Sequence, residues 1–123
     1  MKTQNHNFFI YRSSAGSGKT HALVSAYLKL ALSKPQSNYY THILAITFTN
    51  KAASEMKSRV LSTLKALVEN QLEGTTEVMQ RELMKELQLD QKSLNNRARR
   101  VLNHMLHHYG DIAISTIDSF VYR

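Results

Sequence analysis

Apolar residues follow two rhythms along this chain. Three short runs carry almost no polar alternation: Phe8-Phe9-Ile10-Tyr11, Ile43-Leu44-Ala45-Ile46 and Ile112-Ala113-Ile114-Ser115-Thr116-Ile117. Such runs suit strands of a parallel sheet covered on both faces, expected over about 8–12, 42–48 and 112–117. Between them the spacing becomes helical. From Gly18 to about Ser33 a polar row, His21, Ser25, Lys29 and Ser33, interrupts a surface that is otherwise nearly all apolar or small. A helix of that kind is covered on most sides; Lys34-Pro35 ends it. A second helix, capped by Thr49 or Asn50, runs to about Glu69. Its core face is Ala53, Met56, Val60, Leu64 and Leu67, with Glu55 and Arg59 as an i,i+4 pair on the solvent side. Glu73-Gly74-Thr75 is a break. Glu77 to Leu87 forms a short helix with Met79, Leu83 and Leu87 aligned. Asp90 caps another, reaching about Tyr109, with Leu94, Ala98, Val101, Leu102, Met105 and Leu106 inward and Gly110 as its terminator. Together these two make a helical insertion over about 75–109. Strand, helix and strand at this spacing imply a right-handed parallel crossover and an α/β fold.

One stretch changes the picture from fold to chemistry. Ser13-Ser14-Ala15-Gly16-Ser17-Gly18-Lys19-Thr20 sits between the first strand and the first helix. Strand, glycine-containing loop and helix is the arrangement of a phosphate-binding loop. Glycines let the backbone close around an anion, and the amides of the first helical turn point at it, aided by the helix dipole. Lys19 would reach the β and γ phosphates of ATP, and the Thr20 hydroxyl would ligate Mg²⁺. The strict pattern has glycine where this chain has Ser13.

Composition adds a partner. Lys plus Arg number 16 against 9 Asp plus Glu, a net charge of +7, which favours a polyanion, nucleic acid first. The chain has no cysteine, so thiolate metal sites and disulfides are excluded. The start has no signal-peptide pattern and no run approaches a membrane span. A cytoplasmic protein without a membrane partner is the expectation. His104, His107 and His108 at i, i+3 and i+4 lack an acidic partner nearby in sequence; they suit the C-terminal dipole of their helix better than a metal. Arg97, Arg99 and Arg100 read as a solvated basic face.

A second informative stretch is Ile46-Thr47-Phe48-Thr49-Asn50-Lys51-Ala52-Ala53-Ser54-Glu55-Met56-Lys57-Ser58-Arg59, where a strand ends and a helix begins. Ligands gather at the carboxyl ends of parallel strands, and a helix N-terminus with hydroxyls and Lys51 suits nucleic-acid phosphates. Phe48 either stacks on an unpaired base or packs into the core at the strand end.

The loop A-G-S-G-K-T, then T-F-T-N-K-A-A-x-E-M-x-x-R, then S-T-I-D-S-F resemble motifs I, Ia and Ib of superfamily 1 DNA helicases of the UvrD/Rep/RecB type, in that order. The resemblance implies part of a P-loop NTPase (RecA-like) motor domain over residues 1–123. It implies that Ser14, Ala15, Gly16, Ser17, Gly18, Lys19, Thr20 and His21 serve ATP, with Thr20 on Mg²⁺. It implies that Phe48, Thr49, Asn50 and Lys51, with Thr116, Ser119 and Phe120, line a single-stranded DNA path of 3'-5' polarity. Two positions depart from the pattern. Asp118 stands where the third motif usually has histidine, and only Gln4 precedes the first strand as a candidate for the adenine-reading glutamine. The long helical spacer between Arg59 and Ser115 looks more like the RecB/AddA helicase–nuclease branch, which acts on DNA ends in break repair. That branch implies two partners, the rest of a longer helicase polypeptide and a second nuclease–helicase subunit.

Hydrolysis in such motors also needs an acidic pair to hold Mg²⁺ and orient water, and an arginine from a second lobe. No Asp-Glu pair occurs here. The chain is therefore expected to be an N-terminal fragment that holds nucleotide without turning it over efficiently. Two rivals share some of these features. A small P-loop kinase or phosphotransferase explains the loop alone, and a non-enzymatic single-strand-binding module explains the charge and Phe48 alone.

Overall fold

The structure, a computed structural model, describes residues 7–10, 17–71 and 73–116. Strands β1 (Asn7–Ile10), β2 (Ile43–Thr47) and β3 (Ile114–Thr116) alternate with helices α1 (Ser17–Ala31), α2 (Asn50–Glu69), α3 (Thr75–Leu87) and α4 (Gln91–His107). The class is α/β and mostly helical. The strands lie in the order β1-β2-β3 and pair in parallel, with Phe8 opposite Leu44, Ile46 opposite Ser115, and Thr47 opposite Thr116. Both α1 and α2 touch β2 and also touch each other, so they share one face of the sheet.

The strands are shorter than the apolar runs suggest. A 3-10 turn, Tyr39–His42, holds the chain until Ile43, and the chain leaves the ladder after Thr47. A second 3-10 turn, Tyr109–Asp111, delays β3. The Ile112 amide still bonds to Tyr109, and the Ile114 amide to Ile112. Residues 11, 12 and 117, expected in strands, lie outside the described residues.

The core joins all four helices to the sheet. Leu23, Tyr27 and Leu28 of α1, the five expected α2 residues, Met79 and Leu83 of α3, and Leu94, Ala98, Val101 and Met105 of α4 are buried in one cluster with Ile43, Ala45 and Ile114. The polar row on α1 is not a solvent stripe throughout, since Ser25 is buried where α3 packs on α1. Leu106, expected inward, is exposed in the last turn of α4, which ends one residue later. Gly110 does not end α4. The helix stops at His107, with the His108 amide bonding back to His104 and Met105.

Polar side chains from α4 finish the other helices. The Asn95 amide donates to the Leu67 and Val68 carbonyls at 2.9 and 3.0 Å, satisfying orphan groups at the end of α2. Arg97 donates from Nη1 to the Leu32 carbonyl just past α1, at 2.9 Å. Arg97 therefore does not belong to a solvated basic face. Helices α2 and α3 end on left-handed residues, Asn70 and Gln88, both at φ 56°. Gly74 at φ 55° allows the turn into α3.

Candidate functional site

The C-terminal edge of β2 is built by three consecutive residues with different tasks. The Thr47 side chain is 1% exposed, and its hydroxyl is placed to donate to the Thr49 carbonyl (3.1 Å) and, at 3.4 Å, the Ser115 carbonyl of β3. It ties the strand tip to the turn and to the neighbouring strand. Thr49, in extended backbone, caps α2, its Oγ1 accepting from the Ala52 amide at 3.0 Å. Phe48, held between these two anchored threonines, is 47% exposed. Among the described residues the Phe48 ring is therefore only half packed.

Asn50 and Lys51 are exposed on the first turn of α2, which carries no acidic residue. The amides of a first turn lack intrahelical partners and favour an anion. Thr116, at the adjacent tip of β3, is 4% exposed and lies opposite Thr47 in the register. The surface at this edge is therefore offered by Phe48, Asn50 and Lys51, with Thr47 and Thr116 beneath. Ser119, Phe120 and Asp118 lie outside the described residues.

Of the nucleotide loop, Ser13, Ser14, Ala15 and Gly16 lie outside the described residues, as does Gln4. Ser17, Gly18, Lys19 and Thr20 form the first turn of α1, so the order strand, intervening segment, helix N-terminus is present in the backbone. His21 follows on the second turn. It lines a cavity of about 140 Å³ with Arg59, Ser62 and Thr63 of α2 and Thr76 and Met79 of α3. The i,i+4 rule pairs Arg59 with Glu55. That ion pair is not formed, and among the described residues the i,i+4 pair is Arg81–Glu77 on α3, at 3.4 Å and solvent-exposed. The Arg59 side chain, from the second motif, is thus brought beside the residue that follows the first. Only the three-dimensional approach of α2 to α1 reveals this.

The histidines near the end of α4 are structural. His107 and His108 donate from Nδ1 to the Asn103 and His104 carbonyls at 2.8 and 3.0 Å, finishing the helix. His104 shares a 2.7 Å hydrogen bond with the Tyr40 hydroxyl and stacks on His108 with ring centroids 4.2 Å apart. Among the described residues no group of three or more His, Cys, Asp or Glu could hold a metal ion, and no helix is long and apolar enough to cross a membrane.

The UvrD/REP helicase N-terminal domain matches residues 1–123. The chain is 32% identical over 102 residues to the RecBCD enzyme subunit RecB of Borreliella burgdorferi, covering 83% of this chain and 8% of that protein. It is 40% identical over 81 residues to an ATP-dependent helicase/nuclease subunit of Clostridium kluyveri, covering 66% of this chain and 6% of that protein. Over 48 residues it is 56% identical to the ATP-dependent DNA helicase PcrA of Staphylococcus epidermidis, covering 39% of this chain and 6% of that protein. The chain thus spans less than a tenth of the length of these curated relatives. No solved structure matches it significantly.

Proposed function

The chain belongs to the UvrD/REP helicase N-terminal domain family, and we propose on that premise that it supplies the ATP-binding segment of a DNA helicase motor. Its fold is then part of a P-loop NTPase (RecA-like) domain over residues 1–123. The parent activity is ATP-dependent 3'-5' movement on single-stranded DNA. The RecB and helicase/nuclease relatives favour a helicase–nuclease acting on DNA ends, partnered by a second nuclease–helicase subunit.

In this reading Ser14 to Thr20 wrap the triphosphate, Lys19 neutralises the β and γ phosphates, and Thr20 ligates Mg²⁺. Bound Mg²⁺ supplies charge stabilisation across the phosphates. His21 and Arg59 face the same cavity, and Arg59 adds a second cation on the nucleotide side. On the DNA side Phe48 stacks on a base, and Asn50 and Lys51 take adjacent phosphates at the start of α2. The motif resemblance assigns Ser119 and Phe120 to DNA as well. Thr49 contributes by fixing the turn, and Thr116 by supporting it from the β3 tip. No adjacent acidic pair occurs in the 123 residues, so the chain holds nucleotide without turning it over.

The observation that carries the DNA side is Phe48, held between two hydrogen-bonded threonines and half exposed beside the start of α2. Titration of a labelled oligo-dT with wild-type and Phe48→Ala protein tests it. Loss of one stacked base is worth about 1–3 kcal/mol, a weakening of at least several-fold. Equal affinity of the two proteins contradicts the assignment. A small-molecule kinase would instead show phosphoryl transfer without any response to DNA.

A further inference from the structure

Helix α4 carries a surface that neither the nucleotide loop nor the Phe48 edge uses. From Gln91 to Gly110 the chain has no Asp or Glu. Its inward face is spent on the core, and Asn95 and Arg97 are spent on the carbonyls of α2 and α1. Its exposed residues include Lys92, Asn96, Arg99, Arg100 and Asn103, with the apolar Leu106 beside them and no carboxylate among them. Lys92, Asn96 and Arg100 are four apart, and Asn103 and His107 continue the row, so they share one side of the helix. At 1.5 Å per residue the row is about 22 Å long. At its end Arg100, Asn103, His104, His107 and His108, with Ser37, line an open cavity of about 310 Å³. That end packs on Tyr40, just before β2, whereas Phe48 stands just after it. The two surfaces therefore lie at opposite ends of the strand.

We propose that the outer face of α4 docks the phosphate backbone of double-stranded DNA. The charge is complementary, and the donors recur at regular spacing along the helix. Phosphate contacts of that kind position a duplex without reading its sequence. The helix has no aromatic side chain other than histidine, so it lacks the stacking platforms that unpaired bases require. That the polyanion is DNA rests on the helicase reading; the row of charge does not.

The test uses the full chain, fluorescence anisotropy and two probes, a labelled 20-base-pair duplex and an oligo-dT of the same length. Lys92→Glu combined with Arg100→Glu lowers duplex affinity by roughly tenfold or more and reduces the slope of log affinity against log salt by about two. Oligo-dT affinity changes less than about threefold, because exposed charges more than a Debye length from its track are largely screened. Phe48→Ala shows the reverse pattern. Arg100→Gln, too mild to disturb folding, reduces the slope by about one; far-UV circular dichroism confirms the helix content of each variant. Unchanged duplex affinity and slope in both charge variants overturn the proposal, as does a wild-type chain without salt-sensitive duplex binding. Equal weakening towards both probes overturns it too, as does displacement of the duplex by polyglutamate of matched charge. Duplex binding lost in the charge variants while oligo-dT binds to no protein supports the α4 surface and removes the Phe48 track instead.

Discussion

Thr47, Phe48 and Thr49 show how adjacent residues in one motif divide support from exposure. Their sequence indicates a helix cap at Thr49 or Asn50, and the structure selects Thr49, whose hydroxyl reaches the Ala52 amide. Thr49→Ala is expected to lower stability by about 1 kcal/mol, measured by urea denaturation, with Thr49→Ser restoring most of it. Failure of serine to restore stability would assign the loss to something other than capping. The role of Thr47 is hidden in sequence, because its hydroxyl bonds to Ser115 across a parallel ladder 68 residues away in sequence. Arg59 is illegible for a related reason. The i,i+4 rule sees only its own helix, and the cavity it lines with His21 is made by three helices meeting.

At the scale of elements, the helical periods are the most legible feature. All five expected core positions of α2 are buried, and the Asp90 cap of α4 is present, its carboxylate accepting from the Ser93 amide at 2.7 Å. Hydrogen bonding to the Ser93 side chain, and then to the Ser93 amide, lowers the Asp90 pKa below its ordinary 3.8. A depressed carboxylate stabilises the fold above its unfolded pKa and loses that contribution as pH falls through the folded value. Acid titration followed by circular dichroism should therefore show α4 helicity falling below about pH 4 in wild type. Asp90→Asn, which keeps an acceptor but cannot ionise, should flatten that part of the curve. Strand limits are less legible, because the aromatic Tyr39-Tyr40 before β2 lie in a 3-10 turn and the apolar Ile112-Ala113 lie outside β3. The largest surprise is Asn95. Polar positions on an amphipathic helix read as solvated, yet this one closes the end of α2. Asn95→Ala leaves two carbonyls short of a partner and is expected to cost about 1–3 kcal/mol in thermal or chemical denaturation.

At the scale of the whole molecule, the insertion α3–α4 is part of the core and not an appendage, since it buries the outer sides of α1 and α2 and caps both. A fully buried Tyr27 at the centre of this packing has, among the described residues, no hydrogen-bond partner for its hydroxyl, and burial, with Tyr40 adding to it, pushes its pKa well above 10.0. A raised tyrosine pKa contributes stability below the unfolded value that is lost as pH climbs beyond it. Tyrosinate absorbance should thus rise in two stages above about pH 10, the second coinciding with loss of helix signal; Tyr27→Phe should remove the coupling between the two. The order of motifs, the α/β class and the basic charge are all legible in the residues, whereas the basic row on α4 becomes visible only once Arg97 is seen to be engaged elsewhere. The central claim, that Ser14 to Thr20 cradle a magnesium–triphosphate, is tested most directly by calorimetric titration of the chain with a slowly hydrolysed ATP analogue. The account predicts saturable binding that needs Mg²⁺, falls at least tenfold in Lys19→Ala (about 1.4 kcal/mol or more), and is accompanied by no robust turnover of ATP itself. Binding indifferent to Mg²⁺ and to Lys19→Ala, or vigorous ATP hydrolysis by this chain alone, would contradict it.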